Sequence, residues 1–328
     1  MSPPPYRPCC QRVPKAGAVA TALCSALPRS LVLGMLLLAG QAGAADILFI
    51  GNSFTYGHGS PVQRWRSASV TDLNGQGVGG VPALFKSFAR QAGLSYNVFL
   101  ETQPGAGLDW HLENKLPLLG QRPWDIVVLQ GFSTLDPNKP GDPALLKATV
   151  KRMAAFLRER NGAIALHLMA TFPRADAVYR SGGAWYGKTV EQMARDIRAG
   201  YDQAAHGVPG VKGVAPVGEA WIRAFHSQVA DPDPYDGIEP GQVDLWGADH
   251  YHASTAGYYL SALVLFGSIS GRDPRWLGEQ ECAAAELGLP AQHARALQHI
   301  AAEQLQASGQ AFDAALPPAP HSPALPCN

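Results

Sequence analysis

The sequence predicts an α/β protein built on a parallel sheet with helices on both faces. Two observations carry this. Short runs of β-branched and apolar residues recur along the chain, Ile47-Leu48-Phe49-Ile50 and Ile126-Val127-Val128-Leu129 above all, with no polar alternation. Such unbroken runs suit strands buried on both faces. Between them lie stretches with helical spacing of apolar residues, and strands alternating with helices give a parallel sheet.

The elements follow in order. A first strand ends on Gly51, and a Gly-rich stretch over 57–80 reads as a loop. Val81 to Ala92 reads as a helix, Tyr96–Leu100 as a second strand, and 108–116 as a short helix. Trp124 to Gln130 is the third strand, and 143–160 is a long amphipathic helix rich in Arg and Lys. Ala163–Met169 is the fourth strand, with a helix over 188–206 stopping at Gly207. Gly213–Val217 is the fifth strand, and a helix starts near Glu219. A loop over 230–248, rich in Asp, Pro and Gly, precedes a helix from His252 through Phe266.

The chain has 328 residues, 46% hydrophobic and 16% charged, which suffices for one large domain and is no disordered composition. Residues 30–44 form an apolar segment behind Lys15 and Arg29. It is too short to span a bilayer and ends in Ala42-Gly43-Ala44, the pattern of a signal peptide cut after Ala44 rather than of a buried N-terminal helix. The leader ahead of it is long and Pro-rich, which points to a start codon further in. The expected organisation is therefore a signal peptide over 1–44, one domain over 45–307 and a Pro/Ala-rich tail over 308–328. The expected location is secreted or periplasmic. Cleavage removes four basic residues and no acidic one from a balance of 26 and 26, leaving four excess acids. That speaks against a nucleic-acid partner. Cys282 and Cys327 then remain, either bridged to staple the tail or as two free thiols.

The chemistry-bearing residues sit at two ends of the domain. Gly51-Asn52-Ser53-Phe54-Thr55 puts a serine at the mouth of the first strand, where α/β sheets gather their sites. Asp249-His250-Tyr251-His252 puts an Asp and a His three residues apart, close enough for one turn of chain to join them. A serine becomes a nucleophile when a base takes its proton and a third group orients that base. Ser53, Asp249 and His252 are the candidate catalytic residues.

These segments resemble the SGNH/GDSL hydrolase superfamily. Gly51-Asn52-Ser53 matches its first block in the Gly-Asn-Ser variant, and Asp249-x-x-His252 matches its late motif. The resemblance implies a three-layer α/β/α sandwich on a flavodoxin-like parallel five-stranded sheet, and a serine esterase. It also implies small acyl esters, on carbohydrate, as substrates. An oxyanion hole needs donors, and the resemblance assigns them to the backbone N–H of Ser53 and a glycine after the second strand, Gly105 or the nearby Gly107. The third block departs from the pattern. Its Asn is missing from Leu129-Gln130-Gly131-Phe132-Ser133, which leaves Gln130 as the expected side-chain donor and Ser133 as the competitor. A non-catalytic carbohydrate-binding protein on a decayed esterase scaffold is the rival reading, with a lipase or thioesterase the rival among enzymes.

Other motifs match by letter alone. Gly182 to Thr189 fits the P-loop expression, but no strand runs into it and Trp185-Tyr186 puts bulk where phosphate should lie. Gly75-x-Gly77-x-x-Gly80 lacks a preceding strand. His250-x-His252 has no second ligand cluster to complete a zinc site, and Asp231, Asp233 and Asp236 lack the Gly and Glu of a calcium loop. No metal or cofactor is expected. Gly51-x-Ser53-x-Thr55 lacks the second glycine of a nucleophile elbow, which separates the chain from the α/β-hydrolase fold.

Overall fold

The computed structural model describes residues 43–313. Most of the expected leader, and the tail from 314 with Cys327, lie outside the described residues. Cys282 is disulfide-bonded.

Strand β1 (Ala45–Gly51) is followed at once by a single helical turn, α1 (Ser53–Tyr56). The loop after it carries a two-residue strand, β2 (Thr71–Asp72), and leads into α2 (Gly80–Gln91). Strand β3 (Tyr96–Thr102) precedes the short helices α3 (Leu108–Asn114) and α4 (Leu116–Leu119), and β4 (Ile126–Leu129) precedes α5 (Ala144–Arg158). Then come β5 (Ala165–Ala170), α6 (Ala175–Tyr179), α7 (Val190–Ala205), β6 (Val211–Pro216) and α8 (Val217–His226). The chain ends in α9 (Thr255–Ser270), α10 (Cys282–Glu286) and α11 (Ala291–Ala307).

All strand pairings in the sheet are parallel, in the order β2-β3-β1-β4-β5-β6. The five longer strands have the flavodoxin-like order predicted, and β2 adds a sixth at the edge beyond β3. This corrects the expected strand number. Two residues within a Gly-rich loop carry no periodicity, so β2 left no mark in the sequence. β1 is central, with Ile47 opposite Val98 on one side and Ile126 on the other. Ile47, Leu48 and Phe49 are all fully buried, which requires cover on both faces. Helices α2, α9 and α11 pack together as one group, and α3, α5 and α7 as another. Right-handed crossovers place these groups on opposite faces, because the chain reverses direction across the sheet after β3.

Helix α9 is apolar all round, buried from Ala256 to Phe266, and behaves as a core helix. The Ser254 hydroxyl caps its start by accepting from the Gly257 N–H at 3.2 Å. Helix α11 was not expected. Its buried face includes Ala294, Ala301 and Ala302 as well as Gln298 and Gln304, so the apolar stripe is faint.

Candidate functional site

The strand β1 ends at Gly51 because nothing larger fits. A Cβ there would lie 2.3 Å from Thr55 Oγ1 and 2.6 Å from Gln130 Oε1. The next residue, Asn52, caps α1, its Oδ1 accepting from the Phe54 N–H at 3.2 Å. Its Nδ2 donates to the Ala106 carbonyl at 2.8 Å and the Gly131 carbonyl at 3.3 Å. One carboxamide thus ties together the chain leaving β1, β3 and β4. Ser53 follows as the first residue of α1, nearly buried, at the floor of a cavity of about 510 Å³.

Gln130, the expected oxyanion donor, lies elsewhere. It is fully buried, and its Oε1 accepts from the Asn52 N–H at 2.9 Å and from Thr55 Oγ1 at 2.9 Å. Its Nε2 donates to the Gly131 carbonyl. The amide is spent on the turn beneath Ser53, not aimed into the cavity, and the expectation for Gln130 is corrected accordingly. Ser133 lines the cavity, as does Gly105. Gly105 has φ 67°, left-handed backbone that favours glycine. The backbone N–H groups of Ser53 and Gly105 carry no hydrogen bond among the described residues. Gly107 is packed under the Phe132 ring, where a Cβ would come within 2.2 Å.

The late motif folds as a tight turn. His250 takes φ 55°, and Asp249 Oδ1 accepts from the N–H groups of Tyr251 at 3.0 Å and His252 at 2.8 Å. Asp249 Oδ2 accepts from His252 Nδ1 at 2.6 Å. Burial pushes the Asp249 carboxyl upward, but the bond from the His252 ring and the two backbone N–H bonds outweigh it and hold the group below the usual range. His252 is held below the ordinary imidazole value, first by burial. The bond and charge of Asp249 oppose this, and the nearby charges of His58 and Arg174 add to it. The ring is therefore neutral at pH 7. With Nδ1–H given to Asp249, its Nε2 keeps a free lone pair.

The two segments meet through aromatic contacts. The Phe54 ring lies 5.7 Å from the His252 ring, and the His58 ring 4.5 Å from it. Tyr258, on α9, donates its hydroxyl to the carbonyls of Ser53 at 3.1 Å and His58 at 3.2 Å. No hydrogen bond joins the Ser53 side chain to His252 among the described residues. Sequence reasoning missed Arg174, Asp176 and Arg180, which line the same cavity. Their one signal is position, around α6 just beyond the carboxyl end of β5.

No family model matches the sequence, and no curated protein matches it. Among solved structures, a DUF4886 family protein from Bacteroides uniformis is similar at 18% identity and TM-score 0.55, over 83% of this chain and 98% of that one. A Clostridium thermocellum family 3 carbohydrate esterase is similar at 17% identity and TM-score 0.45, over 68% of this chain and 94% of that one. A lipase/acylhydrolase from Enterococcus faecalis is similar at 17% identity and TM-score 0.41, over 69% and 96%. The chain shares its fold with the DUF4886 family protein.

Proposed function

We propose that this protein is an exported serine esterase that cleaves carboxylic esters of small acyl groups, carried on carbohydrate, through an acyl-enzyme. The observation that carries the proposal is the His252 ring, bonded through Nδ1 to the Asp249 carboxyl and packed on Phe54, the residue after Ser53. In this reading the ester carbonyl enters the cavity above Ser53. His252 Nε2 takes the Ser53 proton as the hydroxyl attacks, and Asp249 stabilises the imidazolium that forms. The unbonded N–H groups of Ser53 and Gly105 receive the oxyanion. His252 then returns the proton to the leaving alcohol, and water repeats the sequence to release the acid. Ser53 and His252 close to hydrogen-bond distance when the ester is bound.

The test is hydrolysis of 4-nitrophenyl acetate and its longer-chain homologues by residues 45–328, beside Ser53→Ala and His252→Ala. Either substitution is expected to lower kcat by about 10⁴ or more. Turnover that survives both would end the reading, and saturable sugar binding without turnover would favour the non-catalytic alternative. N-terminal sequencing of the exported protein tests cleavage after Ala44.

A further inference from the structure

The mechanism above leaves the charged wall of the cavity unused. Arg174 is fixed from three sides. Its Nε and Nη2 donate to the two Asp176 carboxylate oxygens at 2.9 and 2.6 Å, and its guanidinium carbon sits 3.6 Å over the Tyr251 ring. Its Nη1 lies 3.5 Å from Ser133 Oγ, a marginal contact. An arginine has five N–H donors in a rigid fork, and Asp176 consumes two of them. Asp176 therefore neutralises the charge and locks the orientation, while donors on Nη1 stay open towards the cavity.

Arg180, at the far end of α6, lines the same cavity, is exposed, and has no ion pair or side-chain hydrogen bond among the described residues. Among the charged residues lining this cavity, Arg174 is balanced by Asp176. Arg180 is a second cation with no acidic side chain in contact among the described residues, while Asp249 of the candidate triad lies near the Tyr235 that Arg180 also faces. Ser53 opens into this space, whose 510 Å³ is the size of a small-molecule site. Two arginines lining one cavity, one of them held in a fixed orientation, match an anion better than a neutral hydroxyl.

We infer that the cavity selects esters carrying an anionic group, a carboxylate or phosphate, on the sugar that bears the acyl group, with Arg174 supplying oriented donors and Arg180 a second cation. This rests on the esterase reading of Ser53. The test compares acetate release from acetylated galacturonic acid, acetylated galactose and acetylated galactose 6-phosphate. The expected kcat/KM favours an anionic ester by about tenfold or more, the value of one charge-assisted contact. Arg180→Gln should bring that ratio towards one, Arg180→Glu should reverse it, and high salt should weaken it. The ratio of the two anionic esters tells carboxylate from phosphate. Hydrolysis of all three at similar rates overturns the inference while leaving the esterase standing. If none is cleaved, the esterase reading falls and calorimetry with galacturonate and galactose decides. Galacturonate binding that is lost in Arg180→Gln sustains the anionic site, and equal or absent binding overturns it.

Discussion

Replacing Gln130 removes the acceptor that two buried groups share, the Asn52 N–H and the Thr55 hydroxyl, both at 2.9 Å. Asn52 and Thr55 are themselves buried, so neither finds water when that acceptor is lost. A buried donor left unpaired costs about 1–3 kcal/mol, and the Thr55 hydroxyl can partly recover by rotating, so Gln130→Met should destabilise the fold by about 2–4 kcal/mol. Methionine is the informative choice because it fills the same space and leaves only the polar loss. Urea unfolding should show a lower midpoint with an unchanged slope. In a double-mutant cycle, Thr55→Val should couple to Gln130→Met by about 1 kcal/mol. The alternative, an oxyanion donor, forecasts the reverse: stability changed by less than about 1 kcal/mol and kcat lowered by about 10²–10³. That pattern would return Gln130 to the hole and refute the account of the turn.

Gly51→Ala pushes a methyl group against Thr55 Oγ1 and Gln130 Oε1, and should cost about 1–3 kcal/mol by the same unfolding assay. Asp249→Asn should lower kcat by about 10³–10⁴ while leaving KM nearly unchanged, measured with a 4-nitrophenyl ester. Because His252 is held below the ordinary imidazole value, kcat/KM of the wild type should rise with pH along an acid limb whose midpoint lies below 6.5. Burial, aided by the Lys212 charge, lowers His167 from 6.5 to about 4, so the folded state holds it neutral. Its contribution is full above about pH 6.5 and is lost as pH falls towards 4, about 3 kcal/mol in all, and His167→Gln should flatten that part of the stability curve.

The sequence was most legible where structure is local or buried on both faces. Ile47 to Ile50 and Ile126 to Leu129 announced two central strands because cover on each face removes any polar alternation. The Asp249–His252 pairing was legible because three residues span one turn, although the turn needs His250 at positive φ. Gln130 was misread because its direction depends on a partner 78 residues away, the Asn52 N–H, and no pattern around residue 130 records that. Nothing in the sequence around Arg174 and Arg180 sets them apart from other loop charges. Only the tertiary fold brings Arg174 over Tyr251 and both arginines to the cavity that holds Ser53.

Asn52 shows why the first block carries an amide here. Its side chain must accept from the Phe54 N–H and also donate towards the carbonyls of Ala106 and Gly131. A carboxylate at this buried position would accept the first bond but set its charge against two carbonyl oxygens. The amide of Gln130 completes the arrangement from below, satisfying the Asn52 N–H that the turn would otherwise strand. Because side chains meet these needs, the N–H groups of Ser53 and Gly105 carry no hydrogen bond among the described residues and both residues line the cavity. The two amides bind the strand ends and leave these two donors at the cavity, where the proposed esterase would receive its oxyanion.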